Sequence, residues 1–256
     1  MIETKNLSFS YPASDVIDGV SLCVRDGEVA VLLGANGAGK STLLKVMSGF
    51  LKPRAGCVLH NGRDISALSA GEIARGRAVL EQECALAFDY SVLETAMLGS
   101  YARSRFALSE EVLARKSLER AGMKGFENRK YSRLSGGEKR RVQLARALCQ
   151  LGEERGGKIL LLDEPSSGLD PAHAHAAMAA ARDAARDGAS VVAVLHDANL
   201  AAAYADKIAL LKNGKILKFA PSREVLTADL LSQVYNTPCE IVESSRGFFV
   251  SFPPPQ

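Results

Sequence analysis

The sequence predicts an α/β chain: a mostly parallel sheet, an N-terminal antiparallel β subdomain, and a small helical lobe inserted midway. Three observations carry this. The apolar run Val29 to Leu33 leads into Gly34-Ala35-Asn36-Gly37-Ala38-Gly39-Lys40-Ser41-Thr42, and a helical stretch, Ser41 to Ser48, follows. Two later apolar runs, Ile159–Leu162 and Val191–Leu195, each end on polar, chemistry-bearing residues: Asp163-Glu164 and His196. Between the first run and these two, residues 91 to 149 carry helix-like spacing, as in Val92 and Ala96, then Val112, Leu113, Leu118 and Ala121. Strands alternating with helices build a parallel sheet covered on its faces.

The elements follow in chain order. Residues 1 to 33 alternate strands with turns, broken at Tyr11-Pro12 and Asp26-Gly27. Gly56 to Ile65 reads as a strand, an Asn61-Gly62 turn and a short second strand. Ala78-Val79-Leu80 leads to Gln82, after which the texture changes. Residues 83–149 are the inserted lobe; 1–82 and 150–256 form the core of the same single domain. Strand 159–162, an Ala-rich helix 172–187 and strand 190–195 rebuild the sheet. A helix over 199–205 has Asp197 or Asn199 as its cap. Residues 208–217 read as a hairpin, 221–235 as one helix, and 239–252 as a terminal strand or two. Pro253-Pro254-Pro255 reads as a frayed end.

Composition sets bounds. A chain of 256 residues buries a sizeable core. Its net charge of +3 is too weak for a nucleic-acid binder. Lys139-Arg140-Arg141 is the only dense basic triplet and reads as a solvated helix face. Met1 to Asn6 show no signal-peptide pattern, and the apolar runs fall short of the ~20 residues that span a bilayer, so a cytosolic chain is expected. The five cysteines (23, 57, 84, 149, 239) lack paired spacing and read as free, mostly buried thiols. His60 precedes a turn and reads as exposed. His173 and His175, two residues apart, do not face each other on a helix and make no metal pair.

The loop at 34–42 fits G-x-x-x-x-G-K-[ST] at every fixed position. Gly34, Gly37 and Gly39 let the backbone curl so that its N–H groups, with Asn36 and Thr42 in the same cradle, surround phosphate oxygens. The following helix N-terminus adds positive partial charge. Lys40 can reach the outer phosphates, and the Ser41 hydroxyl can ligate Mg²⁺. A second anion site begins at Leu134-Ser135-Gly136-Gly137-Glu138: Ser135 caps a helix while Gly136 and Gly137 expose backbone N–H groups. Asp163 suits a Mg²⁺ shell, and Glu164 suits a general base for an attacking water.

With these motifs in this order, the chain resembles the ATP-binding subunit of an ABC transporter over nearly its whole length. The resemblance implies a P-loop NTPase core with ATP as substrate and Mg²⁺ as its metal. Lys40 and Ser41 match Walker A, Asp163 and Glu164 match Walker B and its catalytic glutamate, and residues 134–138 match the signature. Gln82 falls at the Q-loop glutamine, which touches Mg²⁺ or water and reports to the membrane partner. Ser167-Gly168-Leu169-Asp170 matches the D-loop, with glycine at 168 where alanine is commonest. His196 matches the switch histidine, and Tyr11 lies where an aromatic residue packs on adenine. The family arrangement is a head-to-tail homodimer, each ATP between Lys40 of one chain and Ser135–Gly137 of the other. It sits on the cytoplasmic face of the inner membrane, against two permease subunits and, indirectly, a substrate-binding protein.

The cargo is less directly written. His196-Asp197-Ala198-Asn199-Leu200-Ala201 and the tail Glu224 to Tyr235 are similar to importers of heme, ferric siderophores and cobalamin. The stretch Gln143 to Leu151, the polar insert 152–158 and Asp170-Pro171-Ala172-His173 are most similar to heme importers. The Glu-Arg-Gly that precedes an exporter signature is absent; residues 129–133 are Arg-Lys-Tyr-Ser-Arg. A soluble ABC ATPase of DNA repair or translation would be expected to carry coiled-coil insertions, zinc cysteines or a second Walker A. An inactive scaffold would have lost Lys40, Asp163, Glu164 or His196.

Overall fold

The computed structural model describes residues 1–12, 14–82, 88–102, 110–245 and 247–253. The chain opens with two long strands, β1 (Ile2–Tyr11) and β2 (Ser14–Val24), then β3 (Val29–Gly34) and helix α1 (Lys40–Met47). β4 (Ala55–His60), the short β5 (Arg63–Asp64), α2 (Ala70–Gly76) and β6 (Arg77–Leu80) follow. Three helices come next: α3 (Val92–Met97), α4 (Glu110–Arg120) and α5 (Gly136–Leu151). β7 (Ile159–Asp163), α6 (Pro171–Arg186), β8 (Ser190–Val194), α7 (Ala198–Tyr204), β9 (Lys207–Lys212) and β10 (Lys215–Pro221) complete the core. The chain closes with α8 (Ser222–Val225), α9 (Ala228–Tyr235) and the hairpin β11 (Glu240–Ser244) and β12 (Gly247–Ser251).

The main sheet has the order β10-β9-β3-β8-β7-β6, parallel except for β10. β3, β7 and β8 are buried at every residue, as expected of strands covered on both faces. Alternation splits their side chains between two cores. Val29, Val31 and Leu33 face the cluster built with α5, α6 and α7. Ala30 and Leu32 face the one built with α1, β1, β2 and β4. The antiparallel sheet β2-β1-β4-β5 covers that second face, as the N-terminal β subdomain predicts. Both hairpin turns predicted at Asn-Gly form. Asn61 and Gly62 have φ of 49° and 78°, and Asn213 and Gly214 have 48° and 77°, the paired positive values of a type I′ turn.

Several expectations need correction. The helix predicted over 221–235 is two helices, because Thr227 restarts the chain: its hydroxyl accepts from the Leu230 amide at 3.4 Å. Helix α2 was not foreseen, although Ser69 and Glu72 spell its capping box; two glycines in seven residues hide it. Asn199 is not a cap. Asp197 caps α7, while Asn199 pairs with the backbone of Val250 in β12. His60 is buried, with Nε2 3.2 Å from the Met47 carbonyl oxygen, because α1 ends over it. The basic triplet is no solvated face. Arg140 is buried, Lys139 lies over the Tyr131 ring at 5.9 Å, and Arg141 donates to the Gly122 carbonyl at 2.8 Å. Cys23 and Cys57 are half-buried, and Cys149 and Cys239 are buried. Cys84, the lobe residues 83–87 and the tail Pro254-Pro255 lie outside the described residues.

Leu161 sits fully buried in β7, in the middle of the sheet. Leu161→Ala is expected to cost about 2–5 kcal/mol of unfolding free energy, read as a lower denaturant midpoint at constant slope.

Candidate functional site

Four neighbouring strands end on one edge of the sheet and deliver the site. β3 runs into the 34–42 loop, β8 reaches His196, β7 ends at Asp163 with Glu164 next, and β6 leads to Gln82. Ligands bind at the carboxyl ends of such strands because loops there converge without crossing the sheet. A cleft of about 550 Å³ opens at this edge, lined by Tyr11, Val16, residues 36–42, Gln82, Glu164 and His196. Nearly all the phosphate-loop residues predicted from sequence are therefore together. Gly34 lies just beneath. A Cβ there would come within 2.3 Å of the Leu211 carbonyl oxygen, so β9 leaves room only for glycine. Val16 was not foreseen. Its carbonyl oxygen would lie 2.8 Å from a Cβ at Gly39 (φ 99°), a contact between segments with no local sequence signal.

Helix α1 has no carboxylate in its first turn, so nothing opposes its N-terminal partial charge. Lys40, buried at that N-terminus, donates to the carbonyls of Gly34 at 2.7 Å and Ala35 at 2.9 Å. Burial pushes its ammonium below the ordinary lysine range, and the carboxylates of Glu164 and Asp163 partly pull it back. A cation held this way, among inward N–H groups, is suited to phosphate.

The Ser41 hydroxyl donates to Asp163 at 2.9 Å. Burial raises the Asp163 carboxyl above the usual range, the Ser41 hydrogen bond opposes this, and Glu164 adds repulsion. A buried, partly frustrated carboxylate beside a hydroxyl and the Gln82 amide is an all-oxygen donor set. It fits Mg²⁺, which takes one or two carboxylates and fills its remaining positions with water and phosphate. Glu164 adopts a left-handed backbone, φ 53°, and its amide donates to the Val194 carbonyl of β8 at 3.2 Å. That turn aims the carboxylate into the cleft. The His196 ring donates from Nε2 to Glu164 Oε1 at 2.7 Å, since a carboxylate only accepts.

The structure keeps Ser135, Gly136, Gly137 and Asp170 out of this cleft. Ser135 caps α5 in a reciprocal box with Glu138, and Gly136 is exposed at the same helix start. Gly137 approaches the Leu169 side chain, so the signature abuts the 167–170 loop of its own chain. Asp170 caps α6, accepting from the His173 amide at 2.9 Å and from its ring at 2.7 Å. Tyr11 lines the cleft 41 % exposed and packs edge-on against Phe9, which leaves a ring face open.

The raised Asp163 pKa has a consequence for stability. The native state holds the carboxyl proton more tightly than the unfolded chain does. Stability is therefore lost as pH rises from the unfolded value of about 4 through the higher native one. Asp163→Asn removes that loss. Its Tm is expected to exceed wild type by about 2 °C or more near pH 7 without nucleotide or metal, and the difference should close below about pH 4. Scanning calorimetry across pH checks this; a lower Tm at neutral pH would contradict it.

The ABC transporter family model matches residues 17–167. The chain is 40 % identical over 238 residues to the hemin import ATP-binding protein HmuV of Agrobacterium fabrum, covering 92 % of this chain and 91 % of that protein. It is 41 % identical over 248 residues to that of Thermobifida fusca, covering 96 % and 86 %. Among solved structures, it is similar to an inward-facing ABC transporter described as of the metal-chelate type (TM-score 0.80, 26 % identity, 100 % and 97 % covered). It is also similar to a dimeric bacterial ABC transporter cassette (TM-score 0.77, 28 % identity, 87 % and 99 % covered). Sequence, fold and cleft agree, and the chain belongs to the ABC transporter family, as an ATP-hydrolysing subunit.

Proposed function

We propose that this chain powers hemin import through a membrane permease by ATP-driven closure and opening of a homodimer. The identity of about 40 %, spread over nine-tenths of the chain, to hemin import ATP-binding proteins carries this reading. In it, the 34–42 loop with Lys40, Ser41 and Thr42 holds the phosphates, and Tyr11 stacks on adenine. Ser41, Asp163 and Gln82 would hold Mg²⁺, which would supply positive charge against the phosphates. Glu164 takes the proton of the attacking water, and His196, already hydrogen-bonded to Glu164, steadies the γ-phosphate.

Ser135, Gly136 and Gly137 lie outside their own chain's cleft, which supports a second copy supplying them head to tail. ATP then bridges two positive concavities. Its γ-phosphate favours the closed pair, and hydrolysis removes that bias. Asp170, beside the signature of its own chain, links the two sites. We take 83–149 as the lobe that presents the signature and the rest as the catalytic core.

No helix among the described residues is long and apolar enough to cross a membrane. The membrane role therefore passes to two permease subunits, with this chain at the cytoplasmic face of the inner membrane and a binding protein acting indirectly. A groove of about 270 Å³ beside Gln82, lined by Leu44, Lys45, Ser48 and the 70 %-exposed Phe50, supports docking there.

Three measurements test the reading. Reconstituted with the permease it pulls down, the chain is expected to raise its ATP turnover with hemin-loaded binding protein. Stimulation by a ferric siderophore or cobalamin instead would discard hemin and keep the mechanism. Glu164→Gln is expected to accumulate an ATP-bound dimer by size exclusion and to lose at least about a hundredfold in turnover; near-wild-type turnover would remove the general-base role. Ser135→Arg is expected to abolish hydrolysis while the single chain still binds ATP; loss of monomer binding would contradict the trans arrangement.

A further inference from the structure

Arg140 is a buried charge in the second turn of α5, 9 % exposed, and none of the assigned steps uses it. Among the described residues its guanidinium makes no ion pair. Instead it spends its four terminal N–H groups on four backbone carbonyls. Nη1 donates to Glu81 at 2.6 Å and Gln82 at 3.0 Å. Nη2 donates to Glu164 at 2.8 Å and also to Asp163. Nε is buried with no partner among the described residues. Burial pulls the guanidinium below its ordinary range, and the negative charges of Asp163 and Glu164 oppose that fall. An arginine desolvated this fully persists only when its hydrogen bonds are met.

Those four carbonyls belong to the two segments that carry Gln82 and Glu164. One pair flanks the β6 exit at Gln82. The other brackets the β7 end, where Glu164 sits in its left-handed conformation. A non-glycine residue in that region is strained and needs its surroundings to hold it. Arg140 grips the Glu164 carbonyl, and Val194 holds its N–H. The two peptide planes that flank the Glu164 Cα and aim its carboxylate are thus each held, one through the Asp163 carbonyl and the Glu164 N–H, the other through the Glu164 carbonyl. The same helix begins at Ser135, so one rigid element carries the signature and, little more than a turn later, this fork.

We infer that Arg140 is a positioning residue: it clamps the backbone at Gln82 and Glu164 to the signature helix. The glutamate is thereby aimed at its water only while α5 sits in register. The fork is specific to arginine. A lysine ammonium offers three N–H groups from one point and cannot span two strand ends. The inference rests on Glu164 as general base.

The test compares ATP hydrolysis by full-length wild type, Arg140→Lys and Arg140→Gln, alone and combined with Glu164→Gln, with ATP affinity and Tm measured alongside. Arg140→Lys is expected to lower kcat at least about tenfold while KM and ATP affinity stay within about twofold, because the phosphate loop is untouched. In the Glu164→Gln background the same change should lower single-turnover hydrolysis by less than about twofold, since its effect runs through that carboxylate. Arg140→Gln, which keeps two N–H donors, stands in if the lysine variant does not fold. Retained kcat in a folded variant overturns the inference. So does a loss that multiplies in full on Glu164→Gln, or a joint loss of ATP binding and Tm in both variants, which is a purely structural role. If Glu164→Gln alone hydrolyses like wild type, the general-base reading fails, separately from the clamp.

Discussion

The parallel pairing of β3, β8, β7 and β6 is the constraint on which the rest depends. Side by side and pointing the same way, these strands must end along one edge. Lys40, His196, Glu164 and Gln82 are spread over more than 150 residues of chain, yet the register brings all four to one cleft. The strands tolerate this only because both of their faces are covered, by helices on one side and by the antiparallel subdomain on the other. Damage to that packing reaches the site as displacement before it reaches it as chemistry.

Within the cleft, opposite charges are held apart by backbone. The loop and α1 present N–H groups and one buried ammonium to the space where phosphates belong. Asp163 and Glu164 present carboxylates from the end of β7, one strand beyond β8. Each charge is uncomfortable alone: burial disfavours the ionised form of both Lys40 and Asp163. Phosphate oxygens set against the ammonium, and a divalent cation set against the carboxylate, would relieve both.

Much of this was legible in the sequence because the motifs are local. A glycine-rich loop between strand and helix, or a capped helix start such as Ser135-Gly136-Gly137-Glu138, is specified by residues within a dozen positions. The Asn-Gly turns were legible for the same reason, since they need only two residues with positive φ. What misled was burial. His60 beside a turn and Arg140 in a basic triplet both look solvated by neighbourhood, and both are covered by segments distant in sequence. The capping role divided between Asp197 and Asn199 likewise waited on β12, whose backbone at Val250 claims the asparagine.

The sequence by itself determined the phosphate loop, the paired carboxylates after β7, the order of the strands along the chain and the family, because each is a short-range pattern with a physical reason. Only the tertiary structure decided that Val16 walls the cleft, that His196 hydrogen-bonds Glu164, and that Arg140 ties four carbonyls of two strand ends to the signature helix. These are contacts between residues 23 to 59 positions apart. Periodicity and spacing describe which face of its own element a side chain occupies; what lies against that face is set by packing.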